Sequence, residues 1–207
     1  MSSLATKIMR RINGHGRGNW VCTPKDFLDL GNRAAVDRAL SRLVEDHTLR
    51  RIGRGLYDLP RTSDLLDRPV PPNLDVAVGA IARRDRLQIL PDGIVAAHEL
   101  GLTNAVPVRN SYATDGASRV LKVGGRTVQL QSASPEIMRW ADRPGVRAIQ
   151  ALYWLGKDAA SDPMVVEILR SNLPAPVKVD LMQDVDTLPF WMAKIVRSAC
   201  LERSVAA

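Results

Sequence analysis

A chain of 207 residues with 45% apolar content is long enough to bury one large core or two small ones, and it contains nothing near the ~18 uninterrupted apolar residues that a membrane span needs. The net charge of +7 is unevenly placed: residues 1–61 hold 12 Lys and Arg against 6 Asp and Glu, whereas residues 62–207 hold 17 against 16. A basic block that is also apolar enough to fold is the electrostatic footprint of a phosphate-backbone binder, although charge alone fits RNA or an acidic protein partner as well.

The N-terminus lacks the apolar run of a secretory signal, so a cytoplasmic location is expected. Cys22 and Cys200 lie far apart without ligand spacing and read as small buried hydrophobes rather than a disulfide frame or zinc site.

In chain order, Leu4, Ala5, Ile8, Met9 and Ile12 have helical spacing, and the glycines of 14–18 stop that first helix. Trp20–Cys22 reads as a short strand. Thr23, Pro24 and Asp26 form a helix start, with Thr as N-cap, Pro at the first position and an acid three residues after the cap, so a second helix is expected up to Gly31. Asn32 is the N-cap of a third helix, in which Val36, Ala39, Leu40, Leu43 and Val44 make one apolar stripe until His47. Residues 49–52 and 56–59 then read as two strands around a glycine-flanked turn. Helix, strand, helix, turn, helix, hairpin is the order of a winged helix-turn-helix, which we place at residues 1–60.

Four of the thirteen prolines fall between Pro60 and Pro72, so residues 61–72 are expected to be a linker and residues 73–207 a second domain. Within it, residues 74–84 and 93–100 are expected to be helical, and residues 119–123 and 126–131 a hairpin. Four more helices are expected near 146–155, 163–173, 176–184 and 189–202. The fold class is therefore α+β and mainly helical: a winged helix-turn-helix, then a mixed domain with a small antiparallel sheet and a helical C-terminal part.

With the apolar stripe at the back of the third helix, ~100° per residue puts Ala34, Arg38, Ser41, Arg42 and Glu45 on the opposite face. Arg38 points most directly outward. Together with Asn32 and Arg33 at the helix start, this face suits a major-groove reader: arginines for guanine edges or phosphates, and small residues for close approach. Arg54 at the wing tip, with Arg50 and Arg51 along the wing, suits a minor groove or phosphates, and Lys25 suits a backbone contact. The expected partner is double-stranded DNA.

No catalytic constellation competes with this reading. His15, His47 and His98 are scattered, and no nucleophile elbow, phosphate loop or metalloprotease motif occurs. Asp184 and Asp186 read as a solvated helix end, the glycine-rich 14–18 stretch as a loop, and Cys22 as core. The protein is expected not to be an enzyme and to need no cofactor or metal.

The runs 32–43 and 49–60 resemble the N-terminal domain of AbiEi-type antitoxins of bacterial toxin-antitoxin pairs. Residues 90–102, 114–119, 132–135 and 188–192 resemble motifs of the following domain of that family, so the resemblance covers most of the chain. It departs at His47, where that family usually has Gly before the wing. The resemblance implies an autoregulator that binds repeats in its own promoter and a C-terminal domain that counteracts a co-encoded toxin of the nucleotidyltransferase fold. Trp154, Phe190 and Trp191 are candidates for direct toxin contact. The alternative from another class is a ligand-responsive transcription regulator without a toxin.

Overall fold

A computed structural model describes residues 3–63, 67–106 and 109–201. The fold is α+β, with more helix than strand and only small sheets. The chain divides into two compact units, residues 1–89 with 119–129, and residues 90–118 with 130–207.

In the first unit, α1 (Leu4–His15) is capped by the Ser3 hydroxyl and ends where Gly16 turns to φ 81°. Strand β1 (Val21–Cys22) follows. Residues Pro24–Phe27 then make only a single 3-10 turn, which corrects the expected second α-helix. The start signals operate: the Asp26 carboxylate accepts from the Thr23 amide at 2.7 Å. However, only seven residues separate Thr23 from Gly31, too few for the bonds gained to offset helix nucleation, so Asp26 and Leu30 close i−3 bonds instead. The turn is held to α1 from outside, because Arg11 grips the Asp29 carboxylate at 2.8 and 2.6 Å and donates to the Asp26 carbonyl.

Helix α2 (Arg33–Glu45) buries Val36, Ala39, Leu40 and Leu43 against Ile8, Ile12 and Phe27. Each fully buried aliphatic side chain of this core contributes about 1.5–3 kcal/mol. The helix ends through His47, whose φ of 54° lets the amides of Thr48 and Leu49 reach back to the Leu43 carbonyl. Strands β2 (Arg50–Gly53) and β3 (Leu56–Asp58) form the expected hairpin around Arg54 and Gly55, with an irregularity between Arg51 and Gly53. The sheet has the order β1-β3-β2, which leaves β2 at its edge.

The proline-rich residues 61–72, expected to be a linker, lie inside this unit. Strands β4 (Thr62–Ser63) and β5 (Arg68–Pro69) pair antiparallel, and the Val70 amide donates to the Arg61 carbonyl at 2.7 Å. Helix α3 (Leu74–Asp85) is capped by Asn73 and buries Ala77, Val78, Ala80 and Ile81.

Strand β6 (Ile89–Pro91) leads into the second unit, where α4 (Gly93–Glu99) and β7 (Asn110–Thr114) follow. The hairpin β8 (Arg119–Val123) and β9 (Arg126–Ser132) forms where expected, and residues 119–129 return to the first unit. Its turn lies hard against Pro72: a Cβ at Gly124 would sit 2.3 Å from Pro72 Cγ, and the Gly124 φ is 55°.

The rest of the second unit is helical: α5 (Pro135–Met138), α6 (Val146–Ala160, broken at Gly156), α7 (Pro163–Asn172), α8 (Ala175–Gln183), a 3-10 turn (Val185–Thr187) and α9 (Phe190–Cys200). Trp140, Ile149, Leu152, Leu169, Leu181 and Met192 form its core. Helices α4 and α6 approach closely through Ala96, Ala97 and Ala151. Gly93 permits the approach, since a Cβ there would meet Trp154 Cβ at 2.6 Å and the Gln150 carbonyl at 2.7 Å. Among the described residues, no helix is long and apolar enough to cross a membrane.

Candidate nucleic-acid interface

The outward face of α2 follows from its buried face. Ala34, Arg38, Ser41, Arg42 and Glu45 are all exposed, opposite Val36, Leu40 and Leu43. Arg38 and Arg42 form no ion pair among the described residues, so their guanidinium groups stand ready for an outside anion. Arg33 is exposed at the helix start but pairs with Asp37 at 2.8 Å. An exposed i,i+4 pair of this kind contributes about 0.3–0.5 kcal/mol, little enough for a phosphate to displace it. The Asn32 carboxamide oxygen accepts from the Ala35 amide at 2.9 Å, which commits it to capping the helix.

On the hairpin, the three expected contacts separate. Arg51 and Arg54 are exposed and form no ion pair among the described residues. Arg50 is engaged within the fold: it grips the buried Asp58 carboxylate with two bonds, at 3.0 and 2.6 Å, and donates to the Val70 carbonyl at 3.0 Å. The cause is the register that sets Arg50 opposite Asp58 across the β2–β3 ladder. With 3% of its side chain exposed, Asp58 needs a cation beside it.

Arg51, Arg54, Lys25 and Arg33 line a cleft of about 970 Å³. Its remaining charged walls come from residues that local sequence reasoning missed: Arg84 and Asp85 at the end of α3, and Arg119 and Lys122 on β8. Seven cations thus face one carboxylate. The Arg84 guanidinium holds Asp85 at 2.7 and 2.9 Å and donates to the Arg54 carbonyl at 2.6 Å, while Arg119 donates to the same carboxylate. The Lys25 ammonium donates to the Arg84 carbonyl at 2.5 Å. The hydrogen bonds of Arg84, then those of Arg119, hold the Asp85 carboxyl down to about 2. Asp85 stays ionised at neutral pH and cancels only part of the field, so a basic cleft remains. The one signal in the sequence was Gly53, which we read as part of a turn: a Cβ there would lie 2.9 Å from the Lys122 carbonyl, so the glycine marks a close backbone approach.

Elsewhere the chemistry-bearing residues are engaged in structure. Asp184 pairs with Arg143 and Asp186 with Arg197. Burial pushes the Cys22 thiol up to about 12, which leaves it protonated and unreactive. Among the described residues, no group of three or more His, Cys, Asp or Glu is placed to hold a metal ion. Trp154 and Phe190 are exposed, whereas Trp191 is half-buried against the core of the second unit.

The molecule is thus an α+β protein whose first unit carries an exposed cationic helix face and a basic cleft. The chain belongs to a family of unknown function, DUF6088, whose model matches residues 7–172. No curated protein matches it in sequence.

Proposed function

We propose that the protein is a DNA-binding antitoxin and transcriptional autoregulator, in which α1, β1, the 3-10 turn, α2 and the β2–β3 hairpin act as a winged helix-turn-helix. In this reading α2 enters the major groove, Arg38 and Arg42 supply base-edge and phosphate contacts, Arg33 and Ser41 flank them, and Arg51 and Arg54 on the wing grip the backbone. The observation that carries it is the set of exposed arginines, Arg38 and Arg42 on one face of α2 and Arg51 and Arg54 on the hairpin, that form no ion pair among the described residues. The likeness of residues 32–43 and 49–60 and of the later motifs to AbiEi-type antitoxins supports the second half: neutralisation of a co-encoded nucleotidyltransferase-fold toxin, with Phe190 as a contact.

Binding of the full chain to its own upstream DNA and to an unrelated duplex tests the first half. Selective, salt-sensitive binding whose preference for the upstream duplex is lost in Arg38→Ala supports it. Equal binding of both duplexes, or a preference for RNA, refutes it. Growth rescue of cells expressing the neighbouring toxin tests the second half.

One observation favours the alternative of a ligand-responsive regulator. The second unit has a cavity of about 390 Å³ lined by Tyr112, Gln150, Tyr153 and Trp154, the aromatic and amide mixture typical of small-molecule sites. A shift in melting temperature on adding a metabolite, in cells and strains with no toxin gene, would move the assignment there.

A further inference from the structure

We infer that the β8–β9 hairpin is a second nucleic-acid contact, with Lys122 gripping a backbone phosphate of the duplex that α2 reads. The inference rests on the DNA-binding reading and adds an element about seventy residues further along the chain.

Strand β2 is the edge of its sheet, and β8, which belongs to another sheet, approaches it. The Gly124 amide donates to the Ile52 carbonyl at 2.7 Å, and Gly53 has no side chain to hold the Lys122 carbonyl away. This holds the Lys122 backbone close to the hairpin that carries Arg51 and Arg54. Along β8, Val123 is buried while Lys122 is exposed, so the lysine faces outward from the strand. Its ammonium donates only to the Thr127 hydroxyl, at 2.6 Å, and forms no ion pair among the described residues.

Arg119, on the same strand, is held by Asp85 and lends field rather than contact. Asp85 therefore tethers Arg84 and Arg119; beside Lys25, bonded to the Arg84 carbonyl, and Arg33, paired with Asp37, the cleft offers the hairpin cations Lys122, Arg51 and Arg54. These sit on two separate hairpins, in an open cleft far larger than one phosphate fills. Spread cations of this kind suit successive phosphates of a strand, whereas a small anion is held by convergent donors.

The test is fluorescence polarisation of the full chain with its upstream duplex and an unrelated duplex, at salt concentrations from about 50 to about 200 mM. Lys122→Ala is expected to weaken both duplexes alike, by about 3- to 10-fold, and to lower the salt slope by about one. Lys122→Arg is expected to restore binding, and Thr127→Val, which removes the lysine's hydrogen bond but not its charge, to leave it near wild type. If the wild type binds neither duplex, the DNA-binding reading itself fails. If the wild type binds and Lys122→Ala leaves affinity and slope unchanged, the hairpin inference alone falls. A loss caused equally by Thr127→Val would make the lysine structural and would overturn it too.

Discussion

Arg50 and Asp58 face each other across the β2–β3 ladder, and the arginine closes Nε and Nη2 on a carboxylate that is nearly sealed from water. The neighbouring Arg51 points to solvent. Two adjacent arginines in one strand thus do opposite work. Arg50→Ala would leave the Asp58 charge buried without a partner, at a cost of about 3–5 kcal/mol. The expected result is a large fall in melting temperature, read by circular dichroism, whereas Arg51→Ala changes it by less than a degree or two.

Arg38→Ala is expected to show the reverse pattern. The side chain is exposed and pairs with nothing among the described residues, so the melting curve stays in place. Discrimination between the upstream duplex and an unrelated one should fall by about 1–3 kcal/mol if Arg38 reads a base edge. An equal loss on both duplexes would move Arg38 to the phosphates.

Asp85 predicts an acid limb in the stability of the first unit. Its carboxyl titrates near 3.9 in an unfolded chain and at about 2 in the fold, a depressed value, so the stability it contributes is present above pH ~4 and is lost as pH falls toward 2. Asp85→Asn removes this contribution. Denaturant melts of the two proteins should therefore differ most at neutral pH and converge near pH 2.

His47 holds a left-handed conformation, φ 54°, that a Cβ disfavours by roughly 1–2 kcal/mol. His47→Gly relieves that strain but gives the unfolded chain more freedom, so a net gain of under about 1 kcal/mol is expected. The measurement is the shift in denaturant midpoint.

Gly93→Ala should be among the most damaging single-methyl additions in the second unit. Its Cβ would need the place now taken by Trp154 Cβ and the Gln150 carbonyl, and overpacking of this kind costs about 1–3 kcal/mol. A melting temperature equal to wild type would mean that α4 and α6 separate more easily than their alanine contact implies.

Much of the secondary structure was legible because it is written locally. The helices near residues 163 and 175 begin at Asp or Pro, and α2 has both a capping Asn32 and an unbroken apolar stripe. What escaped depends on length or on distance. The signals at Thr23 and Asp26 mark a start but do not reveal that the segment is too short to continue. The prolines of 60–72 read as a linker, yet Val70 and Arg61 pair across the bend using backbone groups that proline leaves intact. Strands β6 and β7 are short and carry no flanking turn signal as clear as Gly124–Gly125. Of the cleft, Arg33 of α2 and the arginines of the β2–β3 hairpin were accessible to helical and hairpin geometry. Arg84, Arg119 and Lys122 were not, since long-range bonds bring them to the β2–β3 hairpin, that of Arg84 to the Arg54 carbonyl and that of the Gly124 amide to the Ile52 carbonyl.

The return of residues 119–129 to the first unit means that a gene cut short after codon 61 would not yield that unit whole. The stub would lose the Gly124 amide that covers the Ile52 carbonyl and the Val70 carbonyl that steadies Arg50. A bare strand edge is an invitation to pair with other chains, so the fragment's fate is self-association. Frameshifts anywhere before codon 129 therefore strip residues that complete the first unit, and a version ended at Gln129 would restore them but leave residues 90–118 without residues 130–207, the rest of their own unit.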